Sequence, residues 1–291
     1  MAAYLYVMEL DLAAETICNT INHALRSDSG ALIGRNGTIE LEQMIAVDPL
    51  SLGILEKNAG VFPIAVHSIF YRWQKESIEA TKSADVLAAG WYEELKDAEK
   101  EAFKKWSVNA LQVPLKALEP YYVDESLRWT RLLDRHSVAV VTSFTKTAKM
   151  QVDAGLDKIW GSTMFPESID WHWVQTGYPS SVSRGICPWP SGINNWQQAV
   201  EYVVGEVIQT GARFALIGCG GLGMPIAKML KDRGIIAIVL GGSIQLLFGI
   251  KGKRWENHPI ISKFWNDAWV WPDKDEVPGA AAAIEGGCYW G

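Results

Sequence analysis

The chain of 291 residues lacks most of the short signatures that announce a chemistry. There is no Cys-x-x-Cys pair. Cys18, Cys187, Cys219 and Cys288 lie far apart, so neither a disulfide framework nor a zinc cage is signalled, and reduced, mostly buried thiols are the expectation. The G-x-S-x-G elbow, the H-E-x-x-H helix and the Walker A loop are all missing. Five histidines, at 23, 67, 136, 172 and 258, are too scattered to suggest a catalytic pair. No block of like charge exceeds a few residues and the net charge is −6, which argues against a nucleic-acid surface and makes any anion site local. The longest apolar run, Ile235 to Ile250, is shorter than a membrane span and contains Ser243, Gln245 and glycines; it reads as a buried strand followed by a turn. The start, MAAYLYVMELDL, has no basic leader and carries Glu9 and Asp11, so a cytosolic chain without a signal peptide is expected.

Tryptophan is abundant, at 14 residues. Most of these rings are expected to fill core, with a minority left to form a stacking platform for sugars or bases. A chain of this length buries about three quarters of its extended surface, enough for one large α/β domain with a deep cleft, or for two lobes, 1–135 and 136–291, around a central one.

Helical and apolar β-branched segments alternate. Helices are expected over 8–27, from Thr38, over 63–83, 94–106, 144–155, 194–211 and 221–234, and strands over 31–35, 85–91, 137–143, 171–179, 214–218 and 235–240. Strands separated by helices of this length imply a Rossmann-like, largely parallel sheet flanked by helices. The stretch 179–192, PSSVSRGICPWPSG, reads as a long loop, a hinge or an inter-lobe connection.

The clearest phosphate signal is FALIGCGGLGMPIAKML, in which Gly218, Gly220 and Gly223, with Gly221 between them, spell G-x-G-x-x-G between a strand and a helix. A nicotinamide dinucleotide would also need a carboxylate at the end of the next strand, which here ends in Gly241-Gly242; no acidic residue occurs between Asp232 and Glu256. The continuation, GGSIQLLFGIKGKRW, adds Gln245, Lys251, Lys253, Arg254 and Trp255. It is either a buried strand end with a solvated basic turn or the lip of an anion site, and its closeness to the glycine-rich turn favours the lip. IGRNGTIELE places Gly34, Arg35, Gly37 and Glu40 on a tight turn after an early strand, where Glu40 either favours a helix N-terminus or serves as metal ligand or base. Ser143, Phe144 and Lys146 follow another strand, to cap a helix or touch phosphate. Asp85, at the start of a strand, is a reserve candidate for a catalytic carboxylate, and Asp273-Lys274-Asp275 spells a D-x-D.

IGRNGTIELE resembles the R-x-G-x-x-E segment of glycosyltransferases with the GT-D fold, whose typical form reads R-F-G-D-G-E. NAGVFP, ADVLAAGW, VAVVTSFTKTAKMQ, ALIGCGGLGMPIAKMLKDRG, GGSIQLLFGIKGKRW and EGGCYW are similar, in order along most of the chain, to a group of bacterial and viral relatives of that fold. The resemblance implies transfer of a sugar from a nucleotide donor, commonly UDP-linked, to a hydroxyl of a glycan or glycolipid, often with Mn²⁺ or Mg²⁺. Arg35, Gly37 and Glu40 fall on the family's motif, while Thr38 replaces its aspartate and leaves the D-x-E metal pair incomplete. A nucleotide-dependent oxidoreductase and a non-catalytic glycan-binding protein are the alternatives. The tail EGGCYW is expected to fold back over the cleft.

Overall fold

A computed structural model describes residues 9–48, 51–64, 66–161 and 164–291. The stretch read for a leader, and the first residue of the helix expected from position 8, lie outside them. The chain opens with α1 (Leu10–Arg26), enters β1 (Ala31–Arg35), and passes through α2 (Thr38–Ile45), α3 (Leu52–Ala59) and α4 (His67–Ser83) to β2 (Val86–Ala88). After α5 (Lys96–Trp106) and β3 (Leu111–Val113), short turns lead to β4 (Ser137–Thr142). The elements α6 (Thr145–Ala154), β5 (Asp170–Gln175), α7 (Trp196–Gln209), β6 (Phe214–Ile217), α8 (Gly223–Lys231) and β7 (Ile236–Val239) complete the pattern, and 240–291 forms short turns against the sheet.

The seven strands form one parallel sheet in the order β3-β2-β1-β7-β6-β4-β5. This is the Rossmann-like α/β architecture expected. The halves 1–135 and 136–291 share the sheet, joined where Ala31 of β1 lies opposite Ile236 of β7 and Ile33 opposite Ile238. Both faces are buried, as parallel strands require, and successive side chains serve opposite layers. Ile33, Val138, Val140, Leu216 and Ile238 pack beneath α1 and the C-terminal turns, whereas Leu32, Ala139, Val141, Ile217 and Val239 pack beneath α4, α7 and α8. Helix α1 forms because Ala13, Ile17, Ile21 and Ala24 recur on one stripe, all buried. Helix α7 starts where the Asn195 side chain accepts the Gln198 amide at 3.0 Å.

Several boundaries depart from the sequence pattern. The helix expected from Pro63 begins at His67, and the strand expected over 85–91 ends at Ala88, just before Gly90 turns with φ +64°. Strand β3 lies outside every strand expected. The stretch 179–192 is no free hinge: Gly279 donates to the Ser183 carbonyl at 3.0 Å, and Trp189 stacks on Phe62. Only Cys18 among the cysteines is fully buried, and all four are free. Seven of the 14 tryptophans are buried and Trp106, Trp160, Trp171, Trp173 and Trp265 pack partly buried against the core, so most rings fill core as expected and Trp91 and Trp271 are left over. No helix among the described residues is long and apolar enough to cross a membrane.

The C-terminal region is tied to the sheet by Glu276, which is 3 % exposed. Its carboxylate accepts the Lys146 amide at 2.7 Å, the Thr147 amide at 3.2 Å and the Thr147 hydroxyl, so it caps the N-terminus of α6. Glu276→Ala strands those buried donors and is expected to cost about 1–3 kcal/mol. Urea unfolding checks this; an unchanged midpoint would mean that the cap carries no stability.

Candidate functional site

In an open parallel sheet the crevice for ligands lies beyond the carboxyl ends of the strands. Here the ends of β4, β5, β6 and β7, the end of α3 and the tail enclose a cavity of about 110 Å³. Ser143, Phe144, Gly218, Gly220, Gly241, Gly242, Tyr289 and Trp290 are among its walls. The EGGCYW tail therefore does fold over this edge.

The glycine-rich turn is first of all a packing joint. A Cβ on Gly220, whose φ is +48°, would stand 2.7 Å from the Ala59 carbonyl oxygen; one on Gly221 would stand 2.8 Å from the Val61 side chain, and one on Gly223 3.0 Å from that of Val239. A dinucleotide fold keeps the open side of its second glycine for pyrophosphate. At Gly220 the end of α3 takes that side. What remains toward the cavity is donor-rich: the amides of Cys219 and Gly220, which line it, make no backbone hydrogen bond outside their own turn, and exposed Lys57 lines the same space with no ion pair among the described residues.

The exit of β7 is more telling. Gly241 turns with φ +60°, and a Cβ there would meet the Arg35 guanidinium at 3.6 Å. A Cβ on Gly242 would stand 3.5 Å from Arg254 Nη1 and 2.7 Å from the Tyr289 ring. Two guanidinium groups thus flank a backbone stretch stripped of side chains. Arg254 is held by Glu285 at 2.6 Å and by the Tyr289 hydroxyl at 3.0 Å, with the Tyr289 ring 4.7 Å away. Arg35 lies 4.5 Å over the Trp91 ring.

The motif residue Glu40 folds back over the start of α2. A Cβ on Gly37 would collide with its carboxylate, which explains the glycine: the acidic side chain takes the place of a cap. Burial pushes the Glu40 carboxyl up, its own amide and Arg35 pull it down, and Glu285 pushes it up again.

Other candidates are placed elsewhere. Asp85 precedes β2 at the amino edge of the sheet, opposite the crevice, and its carboxylate accepts the Leu32 amide at 2.8 Å and pairs with Lys231 at 2.7 Å. It is a structural brace, which corrects its reading as a catalytic reserve. Gly34 is spent on packing, since a Cβ there would stand 2.9 Å from Val239 Cβ. Lys146 is turned to Asp273 at 3.0 Å and Asp275 at 2.9 Å, so this lysine and the D-x-D engage each other. Buried Gln245 donates to the carbonyls of Lys251 at 2.6 Å and Tyr289 at 2.9 Å, joining lip to tail. Lys251 lies 5.5 Å over the Trp265 ring and Lys253 is exposed; neither lines a cavity, and Arg35 and Arg254 stand behind the walls rather than in them. Of the three cations of the lip, only Arg254 reaches the glycine pair.

The donor set does not fit a divalent cation. Among the described residues no group of three or more His, Cys, Asp or Glu side chains converges. Glu40 and Glu285 face Arg35 and Arg254 instead.

A larger cavity, of about 660 Å³, opens beyond the carboxyl ends of β2 and β3. Trp91, Tyr121, Tyr122, Trp255 and Glu119 line it. Burial raises the Glu119 carboxyl to about 7, against the pull of Arg35 and of the Tyr121 and Ser243 hydroxyls, although the Ser243 proton itself goes to the Leu240 carbonyl at 2.8 Å. A carboxyl titrating near neutrality in a cavity is suited to proton transfer. Glu119 was missed in the sequence because Arg35 and Ser243 stand far away along the chain and LEPYY matches no motif.

The chain matches no family model, no curated protein and no solved structure, so the reading of its function rests on the chemistry of this edge.

Proposed function

We propose that the protein is a nucleotide-sugar-dependent glycosyltransferase of the GT-D type, which grips the donor diphosphate, UDP-linked in the leading case, with Arg35 and Arg254 and passes the sugar to a hydroxyl of a glycan or glycolipid. The observation that carries this reading is the pair of guanidinium groups flanking Gly241-Gly242 at the carboxyl edge of a parallel sheet. As the bond from the anomeric carbon to the diphosphate breaks, negative charge grows on the leaving oxygens. Guanidinium donors already oriented there stabilise that charge more than they stabilise the bound donor, and this difference lowers the barrier. Glu40 and Glu285 hold the two cations in place, and the amides of Cys219 and Gly220 with Lys57 offer further donors to phosphate.

A thermal-shift series with UDP, GDP, CMP, NAD, NADP and nucleotide sugars, with and without Mn²⁺, tests the reading. A ligand bound only by the folded state stabilises it by about 2.7 kcal/mol at about 100 times its Kd. UDP or a UDP-sugar is expected to raise the melting temperature, Arg254→Ala to remove most of that shift, and Lys253→Ala to leave it. Stabilisation by NAD(P) alone would replace the transferase with an oxidoreductase. Silence across the series would favour a non-catalytic glycan-binding protein.

A further inference from the structure

The cavity beyond β2 and β3 is separate from the glycine-rich crevice, and its walls differ in kind. Its cations and acids balance: Lys96, Lys100 and Lys116 stand against Asp97, Glu99 and Glu119. Several are already engaged. Lys96 pairs with Glu93 at 3.4 Å, Lys116 lies 5.6 Å over the Tyr122 ring, and Glu99 accepts the Gly90 amide at 2.6 Å. Such a space has no surplus of charge for a phosphate. It has instead aromatic faces and a few polar groups, the combination that suits a ring apolar on its C–H faces and hydroxylated at its rim. At about 660 Å³ it is wide enough for one or two sugar rings.

Arg35 lies beside a wall of each space without lining either. Its guanidinium stands over Trp91, a wall of the larger cavity, acts on the Glu119 carboxylate, and reaches to 3.6 Å from the Cβ position of Gly241, a wall of the smaller. A group bound between them would meet the nucleotide side and the aromatic side at once.

We infer that this cavity binds the acceptor as an uncharged pyranose ring stacked against Trp91, with Glu119 taking the proton of the attacking hydroxyl. The inference rests on the transferase reading for its chemistry, though not for its binding. In the step, the acceptor oxygen forms a bond to the anomeric carbon of the nucleotide sugar, and the bond from that carbon to the diphosphate oxygen breaks. The electron pair of the broken bond leaves on the diphosphate beside Arg35, and the hydroxyl proton passes to the Glu119 carboxylate. Glu40 does not take this part, since its carboxylate is folded onto the start of α2.

Calorimetric titration of the full chain with maltose, lactose and chitobiose, each to about 10 mM and without nucleotide, tests the cavity directly. At least one sugar is expected to bind, Trp91→Ala to weaken it roughly tenfold, and Trp91→Phe to restore most of the affinity. Trp91 is partly exposed on a loop, so these variants are expected to fold, which their melting curves check. Equal binding by wild type and Trp91→Ala, or no binding by any of the three sugars, overturns the inference. Sugar binding that depends on Trp91 without any thermal shift by nucleotides would leave the cavity standing and remove the transferase. Nucleotide binding without sugar binding would do the reverse.

Discussion

Glu119→Gln is expected to slow sugar transfer by roughly 10²- to 10⁴-fold, the range that a positioned general base contributes. The amide keeps the shape of the carboxylate and one acceptor oxygen but cannot take up a proton. In the wild type, transfer should rise with pH through about 7, because only the ionised carboxylate works as a base. That limb should vanish in the variant. A loss of rate with an unchanged pH profile would assign Glu119 to shaping the cavity, and activity within about twofold of wild type at every pH would remove it from catalysis.

Stability provides a second readout with a definite sign. The folded-state carboxyl is raised from 4.5 to about 7, so between those values the folded protein holds the proton more tightly than the unfolded chain does. Stability therefore falls as pH rises through the window, with the penalty complete above about 7. Glu119→Gln removes the penalty. The variant is expected to be more stable than wild type at pH 8 by up to about 3 kcal/mol, less to the extent that water reaches this partly exposed group, and to lose the advantage near pH 4. Reduced activity with increased stability at the same pH is a combination that a merely damaged fold does not produce.

Much of the sheet was legible because its central strands are buried on both faces and so read as unbroken apolar runs: SVAVVT, FALI and IAIV. Strand β3 gave no such signal. It is an edge strand of three residues, LQV, and its Leu111 is 52 % exposed. The site divides along the same line. Residues at or just past a strand's end, such as Arg35 and Gly241, were visible as candidates because the strand's end defines where they stand. Within Lys251 to Arg254 the sequence could not separate the residues, since direction in a 3-10 turn is set by what packs around it. Arg254 is drawn to Glu285 and Tyr289 of the tail, whereas Lys253 is left to solvent. Asp85 was misplaced for the opposite reason: a carboxylate that begins a strand stands at the wrong end of it. Glu119 depends on Arg35 and Ser243, contacts made only when the chain has closed, and no local spacing encodes them.

The second large effect is expected at Trp290. Its ring is 2 % exposed, lies 6.2 Å from Phe144 and 6.1 Å from Tyr178, and its indole N–H donates to the Glu276 carbonyl at 3.1 Å. Trp290→Ala is expected to cost about 3–5 kcal/mol, a large share of the stability of an ordinary domain. Truncation after Ala283 should cost more, because it also removes Glu285 from Arg254 and the Tyr289 carbonyl from Gln245. Activity lost on truncation would then report on folding as much as on the site, so the point variant is the cleaner probe. The denaturation slope separates two pictures of the tail. A lower midpoint with an unchanged slope makes the tail a wall of the cooperative core, so that ligands enter the crevice past Lys57 and the end of α3. A loss below about 1 kcal/mol would instead mean that the tail detaches before the sheet unfolds, and the crevice would open by lifting it.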